Sequence, residues 1–138
     1  MIAMPFVDTN VLLYLVSGDR GESAKQEKAA EILEREDLFL SVQVLQEFYV
    51  QATRLGRSDA LTHEEAVELI ESWKRYPVQE LTVGILDRAL AAKVRWQLSY
   101  WDAAILEAAR EMECEELWSE DLADGQDYGG VRVVNPFA

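Results

Sequence analysis

Pro5-Phe6-Val7-Asp8-Thr9-Asn10-Val11 is a short apolar run that ends abruptly at an acid. A run this short reads as a buried strand, and Val11–Val16 behind it reads as the start of a helix. A strand that gives way to a helix is the opening of an α/β unit. In open α/β sheets, sites gather where strands end and helices begin, so Asp8 stands where chemistry is expected.

The pattern repeats outward from this stretch. Lys25–Glu36 reads as a helix with Ala29, Ile32 and Leu33 on one face, and Leu38–Leu40 as a second strand. Val44–Leu55 is predicted as a helix whose apolar face takes Leu45, Phe48, Ala52 and Leu55, with Gly56 as its C-terminal stop. Thr62 and Glu65 form a capping box ahead of Ala66–Trp73. Val78–Leu81 is a strand, and Thr82 caps a helix that runs to about Leu98. Trp101–Met112 follows as a helix with Ala104, Ile105, Ala108, Ala109 and Met112 on one stripe. Leu117–Trp118 is a strand, Gly125 and Gly129–Gly130 mark a loop or hairpin turn, and Val131–Val134 is the last strand. Strands alternating with helices predict an α/β fold around a mostly parallel sheet, with right-handed crossovers that put helices on both faces. The chain has 138 residues, 49% of them hydrophobic, enough for one core, so residues 1–138 are read as a single domain.

The formal net charge of −13 argues against broad nonspecific binding to nucleic acid, which needs Lys and Arg for phosphate contacts. It is compatible with a cation-loaded site or a basic protein partner. The single Cys114 excludes an internal disulfide and reads as a buried, inert thiol. The N-terminal apolar stretch is interrupted by Asp8 and Asn10 and lacks a basic lead-in, and no apolar run reaches membrane-spanning length. A cytoplasmic protein with no membrane contact is expected.

Three further acids fall at comparable places. Glu47 lies early in its helix, Asp102 heads another, and Asp121 follows the Leu117–Trp118 strand. Asp102 is followed at three, four and seven residues by Ile105, Leu106 and Ala109, so its carboxylate heads an apolar face. Such a placement is costly without compensation. Each acid alone has a plainer reading: Asp8 as an N-cap, Asp102 as a complement to the helix dipole, Glu47 as a solvated charge, and Asp121 as a turn residue. Those readings do not account for four acids at one edge. Clustered carboxylates repel one another unless protonated or bridged by cations, and oxygen-only ligands suit Mg²⁺ or Mn²⁺.

Elimination narrows the chemistry. His63 is the only histidine and sits in the Thr62 capping box, which places it at the surface. Paired-histidine catalysis within one chain is therefore impossible, and no G-x-S-x-G surrounds a serine. Neither a phosphate-binding G-x-x-x-x-G-K-[ST] nor a G-x-G-x-x-G is present. The second acid of an aspartyl-phosphate phosphatase would stand where Asn10 is. Arg54 with Arg57, Lys74 with Arg75, and Lys93 with Arg95 are basic pairs able to meet phosphates or to serve as solvated helix charges. Tyr49, Trp96 and Trp101 could stack on bases, but their helical spacing predicts core packing.

At these residues the chain resembles the PIN-domain ribonucleases, in particular VapC-type toxins of toxin–antitoxin pairs. Phe6-Val7-Asp8-Thr9-Asn10-Val11 looks like the family's first acidic motif, and Ser41-Val42-Gln43-Val44-Leu45-Gln46-Glu47 like the segment carrying its glutamate. Leu98-Ser99-Tyr100-Trp101-Asp102-Ala103-Ala104-Ile105 resembles the third motif. Trp118-Ser119-Glu120-Asp121-Leu122 with Asp124-Gly125-Gln126 resembles the fourth, and Val133-Val134-Asn135-Pro136-Phe137 the ending. The segment from Gly56 to Gln79 carries no such signature.

The resemblance implies a three-layer α/β/α sandwich with Mg²⁺ or Mn²⁺ held by Asp8, Glu47, Asp102 and Asp121. It implies hydrolysis of RNA by a metal-activated water, leaving 5′-phosphate and 3′-hydroxyl ends. It also implies a homodimer and an antitoxin partner that inhibits through a basic segment. Thr9, Asn10 and Ser119 match positions that orient the acids or water, and Asp124 is a further metal-site candidate. The rival readings are a non-catalytic acidic module for a basic partner, and a metal-dependent DNA nuclease or phosphatase.

Overall fold

The computed structural model describes residues 4–138. Five short strands carry the fold: β1 (Phe6–Val7), β2 (Leu40–Ser41), β3 (Val78–Gln79), β4 (Glu116–Trp118) and β5 (Arg132–Val134). Six α-helices connect them: α1 (Thr9–Leu15), α2 (Ser23–Ile32), α3 (Val42–Ala52), α4 (His63–Trp73), α5 (Val83–Trp96) and α6 (Tyr100–Glu111). All three strand pairings are parallel: β1 with β4, β4 with β5, and β2 with β3. A parallel bridge between Phe6 and Phe39 joins the two halves. There Val7 N–H donates to the Phe39 carbonyl (3.0 Å) and Phe39 N–H to that of Pro5 (2.9 Å). The spatial order is β3-β2-β1-β4-β5, so β1 is the central strand.

Each of the first three crossovers runs through two helices. In the resulting α/β/α sandwich α1 packs on α2 and α3, α5 packs along α6, and α6 meets β2 and β4. Phe6, Leu12, Leu38, Leu40, Phe48, Leu106, Leu117 and Val133 are fully buried between the layers. Cys114 is buried in the same core, and burial pushes its thiol up to about 12, which makes it the inert thiol expected.

Helix starts follow the capping chemistry in the sequence. The Ser41, Thr62, Thr82 and Ser99 hydroxyls accept from the amides of Val44, Glu65, Ile85 and Asp102. The Thr62–Glu65 box closes in both directions. Helix ends depart from expectation. Helix α2 stops at Ile32 rather than Glu36; beyond it the Leu33 carbonyl accepts from Arg75 Nη2 (2.8 Å) and the Arg35 carbonyl from the Tyr76 hydroxyl (2.7 Å) in place of helix amides. Helix α3 starts two residues early at its Ser41 cap. It ends at Ala52 rather than Leu55, because the Ala52 carbonyl accepts from Leu61 N–H (2.8 Å) instead of extending the helix. Leu55 is consequently 96% exposed, not on the apolar face, and Gly56 (φ 92°) turns the loop beyond rather than stopping the helix.

Candidate active site

Asp8 ends β1 and caps α1, as both the plain and the functional readings require. It is only 2% exposed. Its Oδ1 accepts from Thr9 N–H (2.6 Å) and its Oδ2 from the Ser119 hydroxyl (2.7 Å). Burial pushes the carboxyl up to about 7; the Ser119 and Thr9 bonds pull against this, and the charges of Asp121 and Glu47 add to it.

Ser119 is fully buried at the end of β4 and acts as a hub. While donating to Asp8, its Oγ accepts from the Asp121 amide (3.1 Å) and from Asn10 Nδ2 (3.4 Å). The Asn10 Oδ1 atom is buried without a hydrogen-bond partner. Glu47, on α3, is half-buried and held from two sides, by the Thr9 hydroxyl at Oε1 (2.7 Å) and by Gln43 Nε2 at Oε2 (3.3 Å). Gln43 Nε2 also donates to the Trp101 carbonyl (3.1 Å), tying α3 to the head of α6. Asp102, in the first turn of α6, has its carboxyl raised by burial, against the Ser99 hydrogen bond, with the Asp121 and Glu47 charges adding.

The four acids thus share one region: Asp8 and Asp102 both sense Asp121 and Glu47. They are not gathered into a cage, since among the described residues no three His, Cys, Asp or Glu side chains stand close enough to hold one ion. Nor is any of the four in an ion pair with Lys or Arg among those residues. An all-oxygen donor set, an unpartnered buried amide oxygen and unneutralised carboxylates fit a hard divalent cation that keeps several waters and takes one or two carboxylates at a time.

Asp124 lies in the loop between β4 and β5. It is exposed, and its Oδ1 accepts from Asn135 N–H (2.9 Å), which makes it a latch for the C-terminal segment. His63 is exposed and bonded to the Tyr49 hydroxyl (2.8 Å), as a surface residue should be. Arg57 and Lys74 pair with Asp59 and Glu71, and Arg75 binds backbone carbonyls, so these are helix and loop charges. Tyr49 and Trp96 are partly buried, but Trp101 is 63% exposed, not core. Its ring is carried on the outer side of α6, while the next two turns bury Ala103 through Ala109. The Gln43 contact was not anticipated, although its spacing of four from Glu47 on one helix is a readable signal.

The PIN-domain family model matches residues 6–123. The chain belongs to the PIN-domain family. PIN domains are nucleases that generally use divalent metal ions. The match to this PIN domain spans Asp8, Glu47, Asp102 and Asp121 and stops one residue short of Asp124. Among solved structures, a toxin–antitoxin complex from Klebsiella pneumoniae is 23% identical with a TM-score of 0.68, covering 96% of this chain and 97% of that one. Mycobacterium tuberculosis VapC20, described as a sarcin–ricin loop cleaving toxin, is 22% identical with a TM-score of 0.65, over 85% and 91%. DNA-bound VapBC from Salmonella typhimurium is 16% identical with a TM-score of 0.67, over 96% and 97%. No curated protein matches by sequence.

Proposed function

We propose that this PIN domain is a Mg²⁺- or Mn²⁺-dependent endoribonuclease and the toxin of a toxin–antitoxin pair. The observation that carries the reading is Asp8, buried, hydrogen-bonded by Ser119 and electrostatically coupled to Glu47 and Asp121. A buried carboxylate crowded by others, with no cationic side chain to neutralise it, is a placement that binding a metal would compensate. The toxins among its structural neighbours, one of them an RNA-loop cleaving protein, support the same reading.

In this reading Asp8, Asp102 and Asp121 hold the ion, directly or through water. The chemistry the ion supplies is activation of water and neutralisation of the scissile phosphate. Glu47, oriented by Thr9 and Gln43, positions the attacking water and accepts its proton on a carboxylate lone pair that those bonds leave free. Because water attacks, the RNA 2′-hydroxyl is not needed as the nucleophile, and the products carry 5′-phosphate and 3′-hydroxyl ends.

The protein acts in the cytoplasm as a homodimer. The dimer is supported by Val83, Leu86, Leu90 and Val94, which leave an apolar stripe exposed along α5 at helical spacing. Its antitoxin inhibits by presenting an Arg or Lys to the carboxylates, an Arg fork being suited to bidentate pairing. The deciding experiment incubates the protein with cellular RNA, single-stranded DNA and a phosphomonoester, each with Mn²⁺ or with EDTA. Cleavage of RNA alone, abolished by EDTA, is expected. Activity on the other substrates, or none on any, would replace this reading with the nuclease/phosphatase or the acidic-module alternative.

A further inference from the structure

Glu120 lies between two residues of the site, Ser119 and Asp121, yet its side chain is engaged elsewhere. Its Oε2 accepts from Lys25 Nζ (2.6 Å) and its Oε1 from the Tyr14 hydroxyl. Lys25 Nζ also donates to the Tyr14 oxygen (3.2 Å) and lies 4.9 Å from the centre of its ring. The Tyr14 ring packs edge-on against Phe137, with centroids 4.9 Å apart. One carboxylate thus ties α1, α2 and the C-terminal segment to the loop that follows β4.

That loop carries Asp121, whose side chain is exposed. Among the described residues, Asp121 bonds through its amide alone, to Ser119 Oγ. Its carboxylate is therefore placed by the backbone alone. The backbone is pinned on one side by Ser119, turned inward to Asp8, and on the other by Glu120, turned toward Lys25 and Tyr14. The arrangement also neutralises Glu120 and keeps its oxygens out of the acid cluster, so that a fifth carboxylate does not compete there. In a chain with 13 basic residues against 26 acidic ones, Lys25 is paired with this acid rather than with any of the four.

We infer that Lys25, with Tyr14, is a positioning residue: by anchoring Glu120 it holds Asp121 where the metal-dependent site needs it. The inference rests on the nuclease reading above. An exposed ion pair alone is worth little, but a charge-assisted network joining three elements restricts a loop more than one pair can.

The test compares wild type with Lys25→Met, Lys25→Arg, Glu120→Gln and the double variant Lys25→Met/Glu120→Gln. One readout needs no substrate: the Mn²⁺ concentration that gives half the metal-induced rise in melting temperature. The other is steady-state RNA cleavage. Lys25→Met and Glu120→Gln are each expected to raise that Mn²⁺ concentration and lower kcat about tenfold, leaving KM within about twofold. Lys25→Arg should recover most of both, and the double variant should be no worse than either single, as for partners in one interaction. Wild-type values for Lys25→Met in both readouts would overturn the inference. So would a raised KM with unchanged kcat, which would make Lys25 a phosphate contact, or a lowered metal-free melting temperature that Lys25→Arg does not recover, which would make it a plain brace. If wild type cleaves no RNA, the nuclease reading fails, while the Mn²⁺ shifts still decide the anchor. A wild type with no Mn²⁺ shift overturns both.

Discussion

Ser119 Oγ donates to Asp8 Oδ2 at 2.7 Å across 111 residues of chain. The contact follows from strand register: β1 and β4 are parallel neighbours with Val7 opposite Trp118, so the next residue of each strand emerges beside the other. One hydroxyl then orients Asp8 and, through the Asp121 amide, the loop that carries the fourth acid.

Ser119→Ala removes that donor from a buried carboxylate. Cleavage should fall about 10- to 100-fold, as for loss of a residue that orients metal ligands. Stability should change by about 1–3 kcal/mol or less, since Asp8 also loses a reason to be charged. Denaturant melts and single-turnover cleavage measure the two, and unchanged cleavage would deny Ser119 an orienting role.

Asp8 makes stability pH-dependent. Its folded carboxyl titrates at about 7 against 3.8 for an unperturbed one, so between those values the folded chain binds more protons than the unfolded. The stabilisation is fully present below about pH 4 and is lost as pH rises through 7, amounting at most to something on the order of 4 kcal/mol. In EDTA, wild type should melt higher at pH 5 than at pH 8, and Asp8→Asn should flatten the difference. At pH 8 the variant should be the more stable protein. A variant clearly less stable there would leave Asp8 as a structural cap.

Asp8→Asn and Asp102→Asn should each reduce cleavage by about 100-fold or more while remaining folded, because in the proposed reaction each removes charge that would hold the cation at the scissile phosphate. Mg²⁺ or Mn²⁺ should raise the melting temperature of wild type more than that of either variant, since a ligand bound only by the native state stabilises it by mass action. Near-wild-type turnover in a folded Asp102→Asn protein would remove that residue from the site.

Trp101→Ala tests the exposed indole beside Asp102. With 63% of the residue already in water, melting temperature should hardly move. If bases stack there, affinity for single-stranded RNA should drop by about 1–3 kcal/mol, read as a raised KM. An unchanged KM with a shift in oligomeric state would assign Trp101 to a subunit interface instead.

The α/β alternation was legible because period and capping are local. The Thr62–Glu65 box, the Thr82 and Ser99 caps, and the apolar stripe behind Asp102 depend only on residues within a turn or two. Helix ends were less legible. The chain just beyond α2 is held by Arg75 and Tyr76, and the last carbonyl of α3 by Leu61, all reaching in from elsewhere in the fold. Trp101 was misjudged for a related reason: spacing on a helix says which residues share a face, not which face the sheet covers.

By itself the sequence determined the residue types of the candidate site, four acids at strand ends and helix heads, because those places are set by local periodicity. Tertiary structure alone decided how they are held. Parallel register brings Ser119 to Asp8, a crossover brings Thr9 to Glu47, and Lys25 and Tyr14 reach Glu120 over 95 and 106 residues. It also gave Asp124 a partner in the C-terminal segment, its Oδ1 accepting from the Asn135 amide. Hydrogen bonds act over about 3 Å and carry no trace in chain separation, so only the folded register can say which side chains meet.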